Sequence, residues 1–150
     1  MILYRISNCR YINDLTGTGA RLYGGRWNSE GRSMVYLASS RALAVLEVLV
    51  HIQPLVTPSN FCIAEVKVPE HGILTLDATT LPPNWQDASS PAELKQIGNQ
   101  FIQETKYLMM KVPSAIVPQE YNYLINPWHP DIKKVSIINT HPFSFDDRLI

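Results

Sequence analysis

Hydrophobic residues come in short bursts along this chain, and the bursts follow two periods. Residues 2–6 are apolar around Arg5 and read as a first strand. Residues 34–38 read as a second, bounded by Gly31 and by Ser39-Ser40. Residues 42–52 are apolar at nearly every position, the pattern of a helix buried on all sides. Ser39 or Ser40 caps it, Pro54 and Pro58 end it, and Glu47 sits in its middle with His51 one turn on. Strands are expected at 61–68, 73–76, 107–112, 115–117 and 134–139, with a last short one at 143–145. A second main helix opens at Ser90-Pro91-Ala92-Glu93, a capping box with proline at the first helical position. It runs to about Thr105, with Leu94, Ile97, Phe101 and Leu108 at helical spacing. Residues 7–21, 79–90 and 122–130 read as loops. The pattern defines an α+β fold: one compact domain over residues 1–150, of short mixed or antiparallel strands with two main helices.

Composition narrows the class. A chain of 150 residues that is 45% hydrophobic and 17% charged can bury a core, so disorder is excluded. Lys+Arg and Asp+Glu are 13 each, so no basic face of the kind that grips nucleic acid is expected. Arg5 interrupts the apolar N-terminus, and no stretch approaches the roughly 20 apolar residues of a membrane span. The expectation is a soluble cytoplasmic protein. In that compartment Cys9 and Cys62 read as two unpaired thiols, with one disulfide as the alternative.

Candidate chemistry centres on residues 24–51. Arg26 follows Gly24-Gly25, which let a backbone approach a ligand closely, and arginine suits bidentate recognition of phosphate or carboxylate. It is equally readable as a surface arginine beside a turn. Glu47 in an apolar helix needs a partner, because burying an isolated carboxylate is costly. Either it belongs to a site, or it forms a structural pair with Arg5, Arg26 or His51. Tyr36, on the strand before that helix, and Tyr23 can stack on a flat heterocycle or pack in the core. Ser114 follows Pro113 without a nucleophile-elbow motif, so triad chemistry is not expected. Asn122, Asn126 and His129 lie in a stretch that either rims a site or forms a rigid turn. The histidines lack metal-ligand spacing, and no metal is expected.

Taken together, these residues resemble the RES domain family. The resemblance is carried by Gly24-Gly25-Arg26-Trp27-Asn28, Val35-Tyr36-Leu37-Ala38, Ala44-Val45-Leu46-Glu47 and Val112-Pro113-Ser114-Ala115. It continues through Asn122-Tyr123-Leu124-Ile125-Asn126-Pro127 with His129, and closes on Phe143-Ser144-Phe145-Asp146-Asp147-Arg148-Leu149. It implies that Arg26, Glu47 and Ser114 are the residues the family is named for, and an architecture similar to ADP-ribosyltransferase toxins. It also implies a toxin of a bacterial toxin–antitoxin pair, partnered by an Xre-type helix-turn-helix antitoxin. Such a toxin consumes NAD by hydrolysis or phosphorolysis, or transfers its ADP-ribose to a protein. The acceptor is then water, inorganic phosphate or a protein side chain.

The implied chemistry suits the residue types. Cleaving the nicotinamide–ribose bond expels a neutral ring, so one carboxylate that stabilises the oxocarbenium-like sugar suffices, and Glu47 fits. An ionised Glu47 would need a positive neighbour, with Arg5 or Arg26 available. Arg26 is expected to grip the pyrophosphate beside Gly25, with Arg5 and Asn122 also against NAD. Tyr36 or Tyr23 would stack on nicotinamide, and Ser114 would bond the ligand or orient Glu47. Two readings compete: a glycoside hydrolase, which normally wants two carboxylates, and a non-catalytic binding module with a structural Glu–Arg cluster.

Overall fold

A computed structural model of the chain describes residues 1–52 and 59–150. Its centre is a seven-stranded sheet in the order β4-β5-β6-β2-β1-β3-β7. The strands are β1 (Ile2–Asn8), β2 (Val35–Ala38), β3 (Phe61–Lys67), β4 (Ile73–Thr75), β5 (Met109–Pro113), β6 (Tyr121–Ile125) and β7 (Ser136–Phe143). Every neighbouring pair is antiparallel except β4 with β5. That one parallel pair is joined through the longer crossover that parallel strands require, and the crossover contains a helix. The helices are α1 (Thr18–Tyr23), α2 (Arg41–Leu49) and α3 (Ala92–Glu104). The α+β architecture with few helices is as the sequence indicates.

Alternation along the strands divides the core. Leu3, Val35, Leu37, Met109, Tyr123 and Ile125 belong to one buried cluster, closed over by Ile12, Val68, Leu108 and Val135. Met110, Val112 and Leu124 meet Trp27, Leu94, Phe101 and Ile102 in a second cluster, under α3. Ile6, Ala38 and Ile63 meet Leu43, Ala44 and Phe145 in a third, under α2. Successive strand residues point to opposite faces, so α2 and α3 cover the face that Ala38, Met110 and Leu124 present.

Several expectations are corrected. The helix α2 is not buried on all sides: only Leu43 and Ala44 are, and Val50 is 60% exposed. One stripe rests on the sheet, and the apolar excess lies elsewhere. Ser40 is the cap, accepting from the Leu43 N–H at 3.0 Å, and the helix ends at Leu49. Pro54 and Pro58 lie outside the described residues. The expected capping box at Ser90 makes no side-chain bond, and α3 begins at Ala92. Leu108 lies beyond α3 and packs under the sheet.

Two supposed loops are ordered elements. Residues 121–125 form β6, in the middle of the sheet, and residues 18–23 form α1. The asparagines that gave residues 122–130 a loop-like composition flank or enter a strand whose tyrosine, leucine and isoleucine are good β-formers. Residues 115–117 form no strand; they belong to a turn closed by the Ser114 N–H donating to the Glu120 carbonyl at 2.9 Å. Residues 79–90 are no mere surface loop, because Leu81 and Trp85 are buried beside α3.

Cys9 and Cys62 are joined in a disulfide rather than free. The antiparallel register explains it: Ser7 lies opposite Cys62, so the residue just after β1 returns to within 4.9 Å of it, Cα to Cα. Sequence separation carried no trace of that register.

Candidate active site

The two helices leave a cleft between them on the face of the sheet they share. Its floor is β2 and β6, whose register sets Tyr36 against Leu124 and Ala38 against Asn122, all facing one way. One wall is α2 with Ala44, Glu47 and Val48. The other is the Gly24–Trp27 loop with Lys95 from α3. The cleft has a volume of about 760 Å³, within the usual range of small-molecule sites.

Glu47 is anchored from two separate elements. Its Oε1 accepts from Ser114 Oγ at 2.7 Å and from Asn122 Nδ2 at 2.6 Å. Ser114 is fully buried, and its Oγ also accepts from the N–H groups of Ile116 and Val117, at 3.1 Å each. The serine therefore spends its one proton on Glu47 and is itself locked by the turn after β5. It does not line the cavity, although Pro113 and Ala115 beside it do. Neither Arg5 nor Arg26 forms an ion pair with Glu47 among the described residues. What steadies the carboxylate is two neutral donors, so the structural Glu–Arg pair of the competing reading is not formed there.

Arg26 reaches away from Glu47. Its NH1 donates to the carbonyls of Trp85 and Asp87, at 3.0 and 2.9 Å. The segment after Trp85, with Ala88 and Ser90 on the cavity, thus lies across one end of the cleft. Gln86 ties it to the far wall, donating to the Ala115 carbonyl at 3.3 Å. Nothing in the sequence of residues 79–90 announces this, because the acceptors are main-chain carbonyls.

The loop bearing Arg26 is held tightly. A Cβ on Gly25 would lie 2.6 Å from the Tyr36 hydroxyl, and one on Gly98 of α3 would lie 1.6 Å from the Trp27 carbonyl oxygen. Glycine at both positions is what lets loop, strand and helix touch. The Tyr36 hydroxyl donates to Asn28 Oδ1 at 2.6 Å and accepts from the Trp27 N–H at 3.2 Å. Burial pushes the phenol well above the usual tyrosine range, against the opposing effects of the Trp27 N–H and Arg26. Tyr36 thus lines the cavity while its hydroxyl serves the loop. Asn28, fully buried, donates to the carbonyls of Ala20, Ser29 and Arg32 and closes the loop on itself.

The remaining expected residues divide. Arg5 lines the cavity and donates to the Asp14 carbonyl. Burial lowers its pKa, and the Asp14 charge partly opposes that. Tyr23 stands at the cavity's edge and is 82% exposed. His51 also lines the cavity. Asn126 and His129 do not: Asn126 donates to the Ile102 carbonyl and His129 Nδ1 accepts from the Asp131 N–H, which makes that stretch a rigid turn. Lys95 is the residue missed from sequence. It sits near the positive end of α3, an unfavourable place for a lysine unless something else holds it there.

A single carboxylate, fixed by a buried serine and a strand asparagine, shares one cleft with a loop-borne arginine. That arrangement agrees with the family assignment. The RES domain model matches residues 2–146, and the chain belongs to that family. It is similar to a protein of Yersinia enterocolitica named Toxin Res, 41% identical over 99% of both chains. It is also similar to a Sphingobium protein named Prs ADP-ribosylating toxin, 39% identical over 92% of this chain and 88% of that one. Among solved structures, the Mycobacterium tuberculosis MbcT–MbcA toxin–antitoxin complex shares the fold, with a TM-score of 0.78 at 17% identity over 95% of this chain and 84% of that one.

Proposed function

We propose that this chain is a toxin that consumes NAD by cleaving its nicotinamide–ribose bond, with water or phosphate as acceptor, and is silenced by an antitoxin of the Xre type. The observation that carries the reading is the geometry of Glu47. Its Oε1 accepts from both Ser114 and Asn122, and Oε2 bonds to no polar group among the described residues. A carboxylate oriented in advance, at the wall of a cleft, is what an oxocarbenium-like ribose needs. The nicotinamide leaves neutral, taking the bonding electron pair, so no acid is required on it. Water or phosphate then attacks the anomeric carbon; water loses its proton to solvent.

Among the described residues lining the cavity Glu47 is the only carboxylate, which disfavours glycoside hydrolysis by paired carboxylates. The names of the similar proteins and the toxin–antitoxin complex with the same fold support the toxin assignment and the antitoxin partner. Ser114 is a positioning residue in this scheme, and Arg26, Arg5 and Tyr36 are substrate contacts.

A second reading is transfer of ADP-ribose to a protein, favoured by the name of the Sphingobium relative. One experiment separates them. Purified chain is incubated with NAD, with and without phosphate, and nicotinamide, ADP-ribose and its 1″-phosphate are quantified. Free products are expected. Absence of nicotinamide release, or Glu47→Gln releasing it at the parental rate, overturns the assignment. Label from NAD retained on protein in a lysate would move it to the transferase.

A further inference from the structure

We propose that Lys95 is a substrate-binding residue, a second cation beside Arg26 that makes the cleft select a pyrophosphate-bearing dinucleotide over a nucleoside. The inference rests on the NAD reading above. Its starting point is a charge imbalance. The chain as a whole carries equal numbers of acidic and basic residues, but the described residues lining the cavity include Arg5, Arg26 and Lys95 against Glu47 alone. Ion pairs among the described residues involve the N-terminus, Arg41, Lys134 and Arg148, and none of the three cavity cations. Positive charge is therefore in excess in one concave place, with Asp14 acting on Arg5 and Glu47 as the one carboxylate of the lining among the described residues, which favours an anionic ligand.

Lys95 is placed for that ligand by the fold. It is half-buried, and its Nζ donates to the Gly25 carbonyl at 2.9 Å. The bond sets the ammonium beside the backbone of the very loop that carries Arg26. Close by, α3 is locked to the same loop: Asn99 accepts from the Ser29 N–H at 3.0 Å and donates to Ser29 Oγ at 2.8 Å, and Gly98 lets the Trp27 carbonyl approach. An ammonium has three protons, and one is spent on Gly25. Arg26 likewise spends its NH1 protons on Trp85 and Asp87 and keeps three others. Both side chains line the cavity, are held by main-chain carbonyls and retain unspent donors. Two cations held on one loop-and-helix wall suit a ligand with two neighbouring negative phosphates. A nucleoside gains nothing from them.

The test compares NAD with nicotinamide riboside, which has the same scissile bond and no phosphate. In Lys95→Met the ratio of kcat/KM for NAD over the riboside is expected to fall roughly 10- to 100-fold, the loss of one charge-assisted hydrogen bond. Lys95→Arg is expected to restore most of the ratio. A merely structural lysine would lower both substrates together, and an unchanged ratio in Lys95→Met overturns the proposal. Calorimetry with ADP-ribose gives a reading that needs no turnover: weaker binding by Lys95→Met is expected, and parental affinity refutes the role. Should the parent chain leave NAD intact, the NAD reading falls, and the ADP-ribose measurement still decides Lys95.

Discussion

The two walls of the cleft are built in opposite ways. Glu47 is held by side chains: Ser114 from the turn after β5 and Asn122 from β6, both converging on one carboxylate oxygen. Arg26 and Lys95 are held by main-chain carbonyls, those of Trp85, Asp87 and Gly25. A side-chain network fails when one member is removed, because each bond has a dedicated partner. A wall propped on carbonyls depends on the course of the backbone, so it yields to changes in packing more than to loss of a polar group. The carboxylate side is thereby rigid and chemically specific, and the cationic side is set by how α3 and residues 85–90 lie on the loop.

The sharpest break falls on the carboxylate wall. Glu47→Gln keeps shape and hydrogen bonding but loses the charge, and nicotinamide release is expected to drop by roughly 100- to 1000-fold. Melting of that variant should stay near the parent. Next comes Ser114→Ala, which deprives Glu47 of a donor and leaves the N–H groups of Ile116 and Val117 without their acceptor. It should cost about 1–3 kcal/mol of stability in denaturant unfolding, as well as activity, because buried polar groups are left unsatisfied.

On the cationic wall the comparison is sharpened by packing. Gly98→Ala forces a methyl into the Trp27 carbonyl, so the loop or α3 must move. A loss of about 1–3 kcal/mol is expected, with KM for NAD raised more than kcat is lowered. Arg26→Lys should raise KM by roughly tenfold, since a lysine cannot hold two carbonyls and a ligand in one plane.

The smallest effect lies beside the cleft. Asp14 has its pKa lowered, first by the Thr16 side chain, then by the Thr16 N–H, with a weaker pull from Arg5. A depressed carboxyl stabilises the fold fully above its unfolded pKa, about 3.9. That contribution is lost as pH falls through the lower folded value. The melting temperature of Asp14→Asn should thus lie slightly below the parent's at neutral pH and fall less steeply below about pH 4, so that the two converge in acid.

Much of this was legible along the chain and some was not. The strand cores around Ile6, Tyr36, Ala64 and Met110 announced themselves through β-formers and apolar bursts, and Ser40 through its place before an apolar run. Arg26, Glu47, Ser114 and Asn122 stood out by type and by family resemblance. The Asn122 strand was hidden by its asparagines, whose loop-like composition outweighed the tyrosines and leucine between them. The Cys9–Cys62 pairing was hidden because it depends on the register of β1 against β3.

The sequence by itself determined the α+β class, one neutral globular domain and the residue types of a single-carboxylate site. Those are properties of local pattern and of chemistry carried in side chains. Only the tertiary structure decided that Ser114 serves Glu47 instead of a ligand, that Arg26 is tied to residues 85–87, and that Lys95 joins the cavity. Each of these depends on which main-chain atom ends up beside which side chain, and carbonyls are identical at every position of the sequence. Their chemistry becomes particular only when the sheet and α3 bring them to one place.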